Sequence, residues 1–358
     1  MRIPDRTAGL SCEVTTPGAL GPSERERWAE IRAATRSLES PFFAPGFAAA
    51  IGAVRRDCRV AVLREGGSIV GFFPFHAGLT RAALPLGRKL SDYQGAIVDG
   101  GLEWSPAALI RSCGLRSYAF DHLVGAQVEF RPYFTAVARS PVVDLAGGLD
   151  PYGGRPHEAG RAVSKEILTK RRRLERRFAL RFTWHEPGRA ALAALLHWKS
   201  EQYRRARVFD VFSRRWVVDV VERLHATQTA DLAGVLSCLY ADETLIAVHM
   251  GLRSGQVLHS WFPAYDRRFA KHSPGLVLLM TLIEAAETRG VHSVDLGKGD
   301  EPYKLRFANG SIPVGVGSVA AGRVNAAAAR LARASWSIAL RSPLYDRAHR
   351  LRQRLQMG

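Results

Sequence analysis

The sequence predicts a mixed α/β protein made of two tandem domains, and three observations carry that prediction. Helical apolar spacing and strand-like alternation succeed one another twice in the same coarse order: two helices, a run of paired strands, then a helix and a strand. A Gly/Pro-rich stretch, DLAGGLDPYGGRPHEAG at residues 144–160, separates the two runs. The second run contains residues 256–307. There an alternating strand, a basic loop ending in Ser-Pro-Gly, an amphipathic helix, another strand and a Gly/Asp/Lys-rich turn follow without interruption.

At 358 residues, with 47% hydrophobic and 23% charged side chains, the chain has ample material for two cores. Its net charge of +18 is unusual and favours polyanionic partners such as phosphorylated cofactors, nucleic acid or an anionic membrane surface. The plainer reading is an arginine-rich proteome. Cys12, Cys58, Cys113 and Cys238 lie far apart in sequence and form no CxxC pair, which argues against a zinc site and a disulfide scaffold. No apolar h-region opens the chain, and no apolar run reaches the roughly 18 residues of a membrane span. A cytoplasmic protein is expected, with peripheral attachment at the inner membrane face as the alternative.

Taken in order, residues 1–22 are polar and punctuated by Gly and Pro, and are expected to be loose. A helix starts at Pro22-Ser23, with Glu24 and Glu26 in its first turn and Trp28, Ile31 and Leu38 continuing at helical spacing. Pro41 and Pro45 break the chain before a second short helix. CRVAVLRE and SIVGFFPFHAG, joined at Gly66-Gly67, read as a hairpin. A strand is expected at residues 93–98, a helix at 105–113 and a strand at 116–123. In the second run the strand at 179–186 is followed by helices at 189–205 and 213–227. Three meandering strands then turn at Asp242-Glu243 and Ser254-Gly255. The helix from Pro274 carries Leu276, Leu279, Ile283 and Ala286 on one stripe and stops at Gly290, before strands at 291–296 and 311–320. Segment 161–178, RAVSKEILTKRRRLERRF, is a basic helix with Val163, Ile167, Leu174 and Phe178 on its apolar side. The boundaries are therefore 23–150 for the first domain, 151–178 for linker and basic helix, 179–320 for the second domain and 321–358 for a basic helical tail.

Three groups of residues have chemistry within reach. Arg267, Arg268, Lys271 and His272 precede Ser273-Pro274-Gly275. A helix start with Pro at its first position and Gly beside it admits a phosphate to backbone N–H groups, aided by the helix dipole. An exposed basic loop with an ordinary Ser cap is the plainer account. In DLGKGDEPYKLRF, Asp295 ends a strand and Gly297 and Gly299 free the backbone, while Lys298, Asp300, Glu301, Tyr303 and Lys304 crowd one turn. A tyrosine suits a general acid for a leaving thiolate, and a carboxylate suits a base for an attacking amine or hydroxyl. A solvated turn with a core tyrosine is the alternative. His249 and His259 fall inside predicted strands, His259 on the same face as Trp261. Strand histidines are more often core residues than catalysts. The basic helix lacks aromatic interleaving or any nucleic-acid-binding pattern, and GxxxxGK[ST], GxSxG, HExxH and strand-GxGxxG are all missing from the sequence.

HSWFPAYDRRFAKHSPG, an apolar helix and VDLGKGDEPYKLRF together resemble the CelD/BcsL-type acetyltransferases of the GCN5-related N-acetyltransferase (GNAT) superfamily. SPFFAPGFAAAI, GFFPF, LSDYQG and the basic helix are similar to that family's earlier segments. The resemblance covers roughly residues 25–320. It implies two tandem GNAT-like domains in a FemAB-like arrangement, the first without cofactor binding and the second holding acetyl-CoA or another acyl-CoA, with no metal. It places Tyr303 at the general-acid position, leaves the base among His249, His259, Asp300 and Glu301, and puts donor phosphates at Arg267, Arg268, Lys271, His272, Ser273 and Gly275. Trp261, Tyr265, Asp266, Asp295, Lys298, Lys304, Asp92 and Tyr93 become acceptor-binding candidates. RRFAKHSPG departs from the superfamily's Q/R-x-x-G-x-G/A. The implied activity is acyl transfer to an amine or hydroxyl, on a saccharide of exopolysaccharide or cellulose biosynthesis. A FemAB-type transferase using aminoacyl-tRNA is the rival. A third reading is a non-catalytic protein whose tail at 323–354 docks on anionic lipid or a polysaccharide synthase.

Overall fold

A computed structural model describes residues 10–78, 80–146 and 158–322. The tail at 323–358, residues 1–9 of the expected loose N-terminus and residues 147–157 of the linker lie outside the described residues. The chain forms two compact units, one of residues up to 139 together with those from 312, the other of residues 140–311.

The first unit opens with strand β1 (Leu10–Thr15), where a loose segment was expected; it is held by antiparallel pairing along its whole length, from Leu10 opposite Glu65 to Thr15 opposite Val60. Helices α1 (Pro22–Ala33) and α2 (Pro45–Gly52) begin at their prolines as predicted. The hairpin β2 (Cys58–Glu65) and β3 (Ser68–Ala77) continues into β4 (Ala82–Pro85), while the short β5 (Ile97–Val98) pairs with β3. The strand expected over 93–98 is reduced to these two residues: before them Gln94 makes only an isolated parallel bridge to Leu123, and at Ala96 a side-chain amide takes the place of a strand partner. Gln94 Oε1 accepts from the N–H groups of Asp121 and His122, and Gln127 bonds both backbone groups of Ala96. Helix α3 (Pro106–Ser112) leads to β6 (Ser117–Val124), which runs parallel to β4. The core is aromatic. Trp28 stacks on Phe72 at 4.7 Å with its indole N–H on the Phe43 carbonyl, and Phe73, Tyr118, Phe120 and Phe130 are fully buried nearby.

Strand β7 (Phe134–Asp144) starts in the first unit, and its residues from Ser140 belong to the second. Helix α4 (Glu158–Glu175) is the predicted basic helix and buries Ile167 and Leu174. Then come β8 (Leu180–Thr183), α5 (Arg189–Arg205), α6 (Arg215–Ala226) and the meander β9 (Ala233–Ala241), β10 (Thr244–Ser254) and β11 (Val257–Tyr265). Helix α7 (Pro274–Glu287) returns the chain to β12 (Ser293–Asp295), parallel to β11, and a short helix α8 (Pro302–Phe307) stands where a turn was predicted. Within this unit the strand order is β7-β12-β11-β10-β9-β8. Leu279, Leu282 and Ile283 of α7 bury against Leu258, Val235 and Val294 of the sheet. Each such side chain contributes about 1.5–3 kcal/mol on burial. The other face meets the α5–α6 connection, where Phe262 contacts Phe212 at 5.0 Å.

Both units thus carry the predicted order of two helices, paired strands, a helix and a strand, and in each the last strand runs parallel to the meander's third. One assignment changes. Strand β13 (Gly310–Ala320), expected to close the second domain, pairs antiparallel with β6, and its residues from 312 belong to the first unit. Local alternation identifies a strand but not its partner, which is a long-range choice.

Candidate functional site

In the second unit β11 and β12 are paired over three residues only, Val257 to His259 against Ser293 to Asp295. Strand β11 runs on to Tyr265 without that neighbour. Trp261 is the extra residue of a bulge at this parting, since Phe262 pairs with Met250 and Ser260 with Gly251. A Cβ on Gly251 would lie 2.9 Å from the His259 carbonyl oxygen and 3.1 Å from His249, so the bulge needs glycine there. Ser260 is the first β11 residue beyond the paired stretch, and it is half-buried between buried neighbours. It shares the α7 face with Leu258, two residues before it. Its Oγ lies 2.7 Å from Nε2 of His249, which is 2% exposed. Burial, with the nearby His259 adding to it, pushes the His249 imidazole down to about 3, so it is neutral. Its Nδ1 has no hydrogen-bond partner among the described residues.

His259 and Asp295 are register partners, both fully enclosed, with Nδ1 and Oδ1 3.6 Å apart. The same Oδ1 accepts from Ser140 Oγ at 2.6 Å and from the Gly297 N–H at 2.8 Å. Asp295 therefore shapes the turn that follows it. Lys304 is held in the same turn. Its Nζ donates to the carbonyls of Gly297 and Lys298 at 3.1 and 3.0 Å and pairs with Glu301 at 3.0 Å, so all three donors are used inside the turn. Glu301 is tied to that lysine, and its carboxylate lies where a Cβ on Gly299 would be. Asp300 is exposed and Lys298 half-buried. Tyr303, on α8, packs its ring against the cluster holding Leu258, Val294 and Leu296, on the same α7 face as Ser260.

The basic loop is a 3-10 turn from Arg267 to His272. Asp266, 6% exposed, caps it by accepting the Arg268 N–H, and the Arg268 guanidinium clamps the same carboxylate, which holds Asp266 below its ordinary value. Asp266 is thus a cap of this turn. His272 sits edge-on to Phe178 at 6.4 Å, and burial, then Lys271 and Arg177, lower its pKa. Ser273 takes a left-handed φ of 52° and makes no side-chain cap to α7; its Oγ accepts from Lys170 Nζ of α4 at 3.2 Å. Arg267 and Lys271 are exposed, and Tyr265 lies against Gly275. In the first turn of α7 Pro274 and Val277 are buried and Gly275 is half-buried, with the Lys170 ammonium at the Ser273 hydroxyl beside it. Tyr93 and Asp92 belong to the first unit. Tyr93 is 2% exposed, and Asp92 lies 3.8 Å from Nε2 of His122, whose Nδ1 faces Asp121 at 2.9 Å.

Residues 161–305 match an acetyltransferase (GNAT) domain. No curated protein matches the chain in sequence. Among solved structures, FemX is similar with a TM-score of 0.54 at 10% identity, covering 86% of this chain and 96% of its own. L-PGS from Bacillus licheniformis gives 0.53 at 13%, covering 87% and 96%. A C-terminal DUF2156 domain from Agrobacterium fabrum gives 0.52 at 14%, covering 86% and 95%. These likenesses concern the fold.

Within residues 161–305, sequence reasoning missed Ser260, Lys170 and Lys199. Ser260 alternates with Leu258 like any solvated strand position. Lys170 is one cation among many in a basic helix. Lys199 of α5 is 8% exposed and donates to the Pro263 carbonyl at 3.2 Å, on the strand that carries Ser260. Lys304→Met tests the turn. It leaves two carbonyls and the Glu301 carboxylate unpaired, and a loss of about 3–5 kcal/mol in chemical denaturation is expected.

Proposed function

We propose that the GNAT domain transfers an acyl group from an acyl-CoA thioester to an amine or hydroxyl. The observation that carries this reading is the gap beside Ser260, where a β11 edge without a strand partner lies next to an uncapped, cation-flanked helix start. A phosphate oxygen fits the Gly275 N–H, with Arg267, Lys271 and Lys170 supplying positive charge, since the Leu276 and Val277 N–H groups already donate to the Ser273 carbonyl. With the phosphates there, the gap would receive the thioester, and backbone N–H groups along it would polarise the carbonyl.

In this reading the acceptor's nitrogen or oxygen attacks the carbonyl carbon and the C–S bond breaks. The acceptor's proton leaves to solvent by way of Ser260 Oγ, whose hydroxyl the neutral His249 orients by accepting its hydrogen bond. The departing thiolate takes the Tyr303 proton, and exchange with water resets the phenol. The motifs AYD…SPG and DLGKGDEPYK, which resemble CelD/BcsL-type acetyltransferases, favour a saccharide acceptor.

The exposed cations Lys165, Arg172 and Arg173 of α4, with Arg176 and Arg177 just after it, keep an aminoacyl-tRNA donor as the rival outcome. Calorimetric titration with acetyl-CoA separates the two. Saturable binding that weakens as salt rises is expected. No heat at millimolar acetyl-CoA, together with salt-sensitive retention of aminoacyl-tRNA, would replace the CoA reading with its rival.

A further inference from the structure

We propose that Cys12 and Cys113 form a reactive dithiol site in the first unit, closed to an intramolecular disulfide by small disulfide oxidants. The two residues are 101 positions apart in sequence, yet their sulfurs lie 3.7 Å from each other. Cys12 is on β1, and Cys113 follows the last turn of α3. Both pack against the aromatic core of that unit, and both are half-buried. A cleft lined by Ser11, Leu63, Trp104 and Leu109 reaches Cys12 from outside. Bonded sulfurs stand ~2.05 Å apart, so rotation about the side-chain bonds has under about 2 Å to close.

The other two cysteines do not compete. Cys58 and Cys238 are 1% and 0% exposed, and burial pushes both thiols up to about 12. Within the pair the roles divide. The hydrogen bond from Cys113 draws Cys12 below the ordinary thiol value, while the same bond and burial push Cys113 up. Cys12 is therefore the attacking thiolate. It displaces one thiol from the oxidant's disulfide and forms a mixed disulfide. The Cys113 sulfur then attacks the Cys12 sulfur and releases the second thiol. Two electrons and two protons pass from the cysteine pair to the oxidant, which leaves as two thiols.

The bond would tie β1, paired in its sheet to β2 alone among the described strands of the first unit, to the end of α3. It would enclose a loop of 101 steps, a length at which cross-linking strongly restricts the unfolded chain. The site needs none of the chemistry of the second unit.

The test uses the full chain with oxidised glutathione under native conditions, followed by alkylation and peptide mass mapping. The expected result is a linked Cys12–Cys113 peptide, Cys58 and Cys238 still alkylated after unfolding, and a melting temperature several degrees higher that reverts with dithiothreitol. Cys12→Ser should remove both the link and the shift. Cys113→Ser should stop the reaction at a glutathione adduct on Cys12. A stable glutathione adduct on the unsubstituted chain, or four free thiols after prolonged oxidation, would overturn the proposal. So would an unchanged melting temperature in Cys12→Ser on adding oxidant if the unsubstituted chain also fails to shift.

Discussion

Tyr303→Phe is expected to lower acyl turnover by about 10²–10⁴-fold while leaving acetyl-CoA affinity unchanged. The substitution is chosen because the ring carries the packing. Tyr303 lies half-buried on α8 against the cluster of Leu258, Val294 and Leu296, and phenylalanine keeps that contact. Only the hydroxyl is lost, and with it the proton for the departing thiolate. Thiol release from acetyl-CoA with a panel of amines and amino sugars reads turnover, and calorimetry reads affinity. A variant that loses affinity but keeps its maximal rate would make Tyr303 a binding residue and remove the acid from the mechanism. Ser260→Ala acts on the other proton and should slow the same step with thioester binding preserved.

Much of the fold was legible because each element declares itself locally. Prolines at residues 22, 45, 106 and 274 open helices at the predicted places, and Gly66-Gly67 and Asp242-Glu243 turn the predicted hairpins. What was not legible depends on partners distant in sequence. β1 is a strand because β2 accepts it, residues 93–96 keep only an isolated bridge at Gln94 and a side-chain pairing of Gln127 with Ala96, and β13 leaves the second unit for β6.

The candidate site divides in the same way. The stretch at 256–307 does bring a helix start, a parting strand and Tyr303 to one unit, as its residue types suggested. Which polar groups are already satisfied could not be read. Lys304, Asp295 and Glu301 look alike in sequence as solvated chemistry around two glycines, and Asp266 reads as part of an exposed basic loop. In space each is bound to a neighbour: three acceptors on Lys304, Ser140 and Gly297 on Asp295, Arg268 on Asp266. Ser260, by contrast, has no motif to mark it, and it matters only because β12 ends its pairing one residue earlier.

Stability should fall steeply as pH drops from about 6.5 toward 4, because two buried histidines stay neutral in the fold. Burial holds His249 at about 3. Burial likewise lowers His76 to about 4, an effect that the Asp57 carboxylate 3.2 Å from its Nδ1 only partly offsets. The Gly87 N–H donates to its Nε2, which keeps that nitrogen an acceptor. Both imidazoles titrate near 6.5 once unfolded. Below that value the unfolded chain takes up protons the folded one does not. The stability is therefore complete above pH 6.5 and is lost as pH falls toward each folded value. Each histidine contributes a slope of about 1.4 kcal/mol per pH unit within its window. Asp57 acts later. Burial raises its carboxyl, but the Arg55 hydrogen bonds and nearby positive charge outweigh this and hold it at about 2, so its contribution is lost only between about 3.8 and 2. Urea denaturation at a series of pH values between 7 and 4 measures the slope. His249→Gln and His76→Gln should each flatten it by about one proton. His76 lies in the first unit and His249 in the second, so probes in each unit assign the two contributions separately. An unchanged slope in His249→Gln would mean that water reaches its Nδ1 and that the imidazole is not held neutral, which would also remove the acceptor that orients Ser260 Oγ.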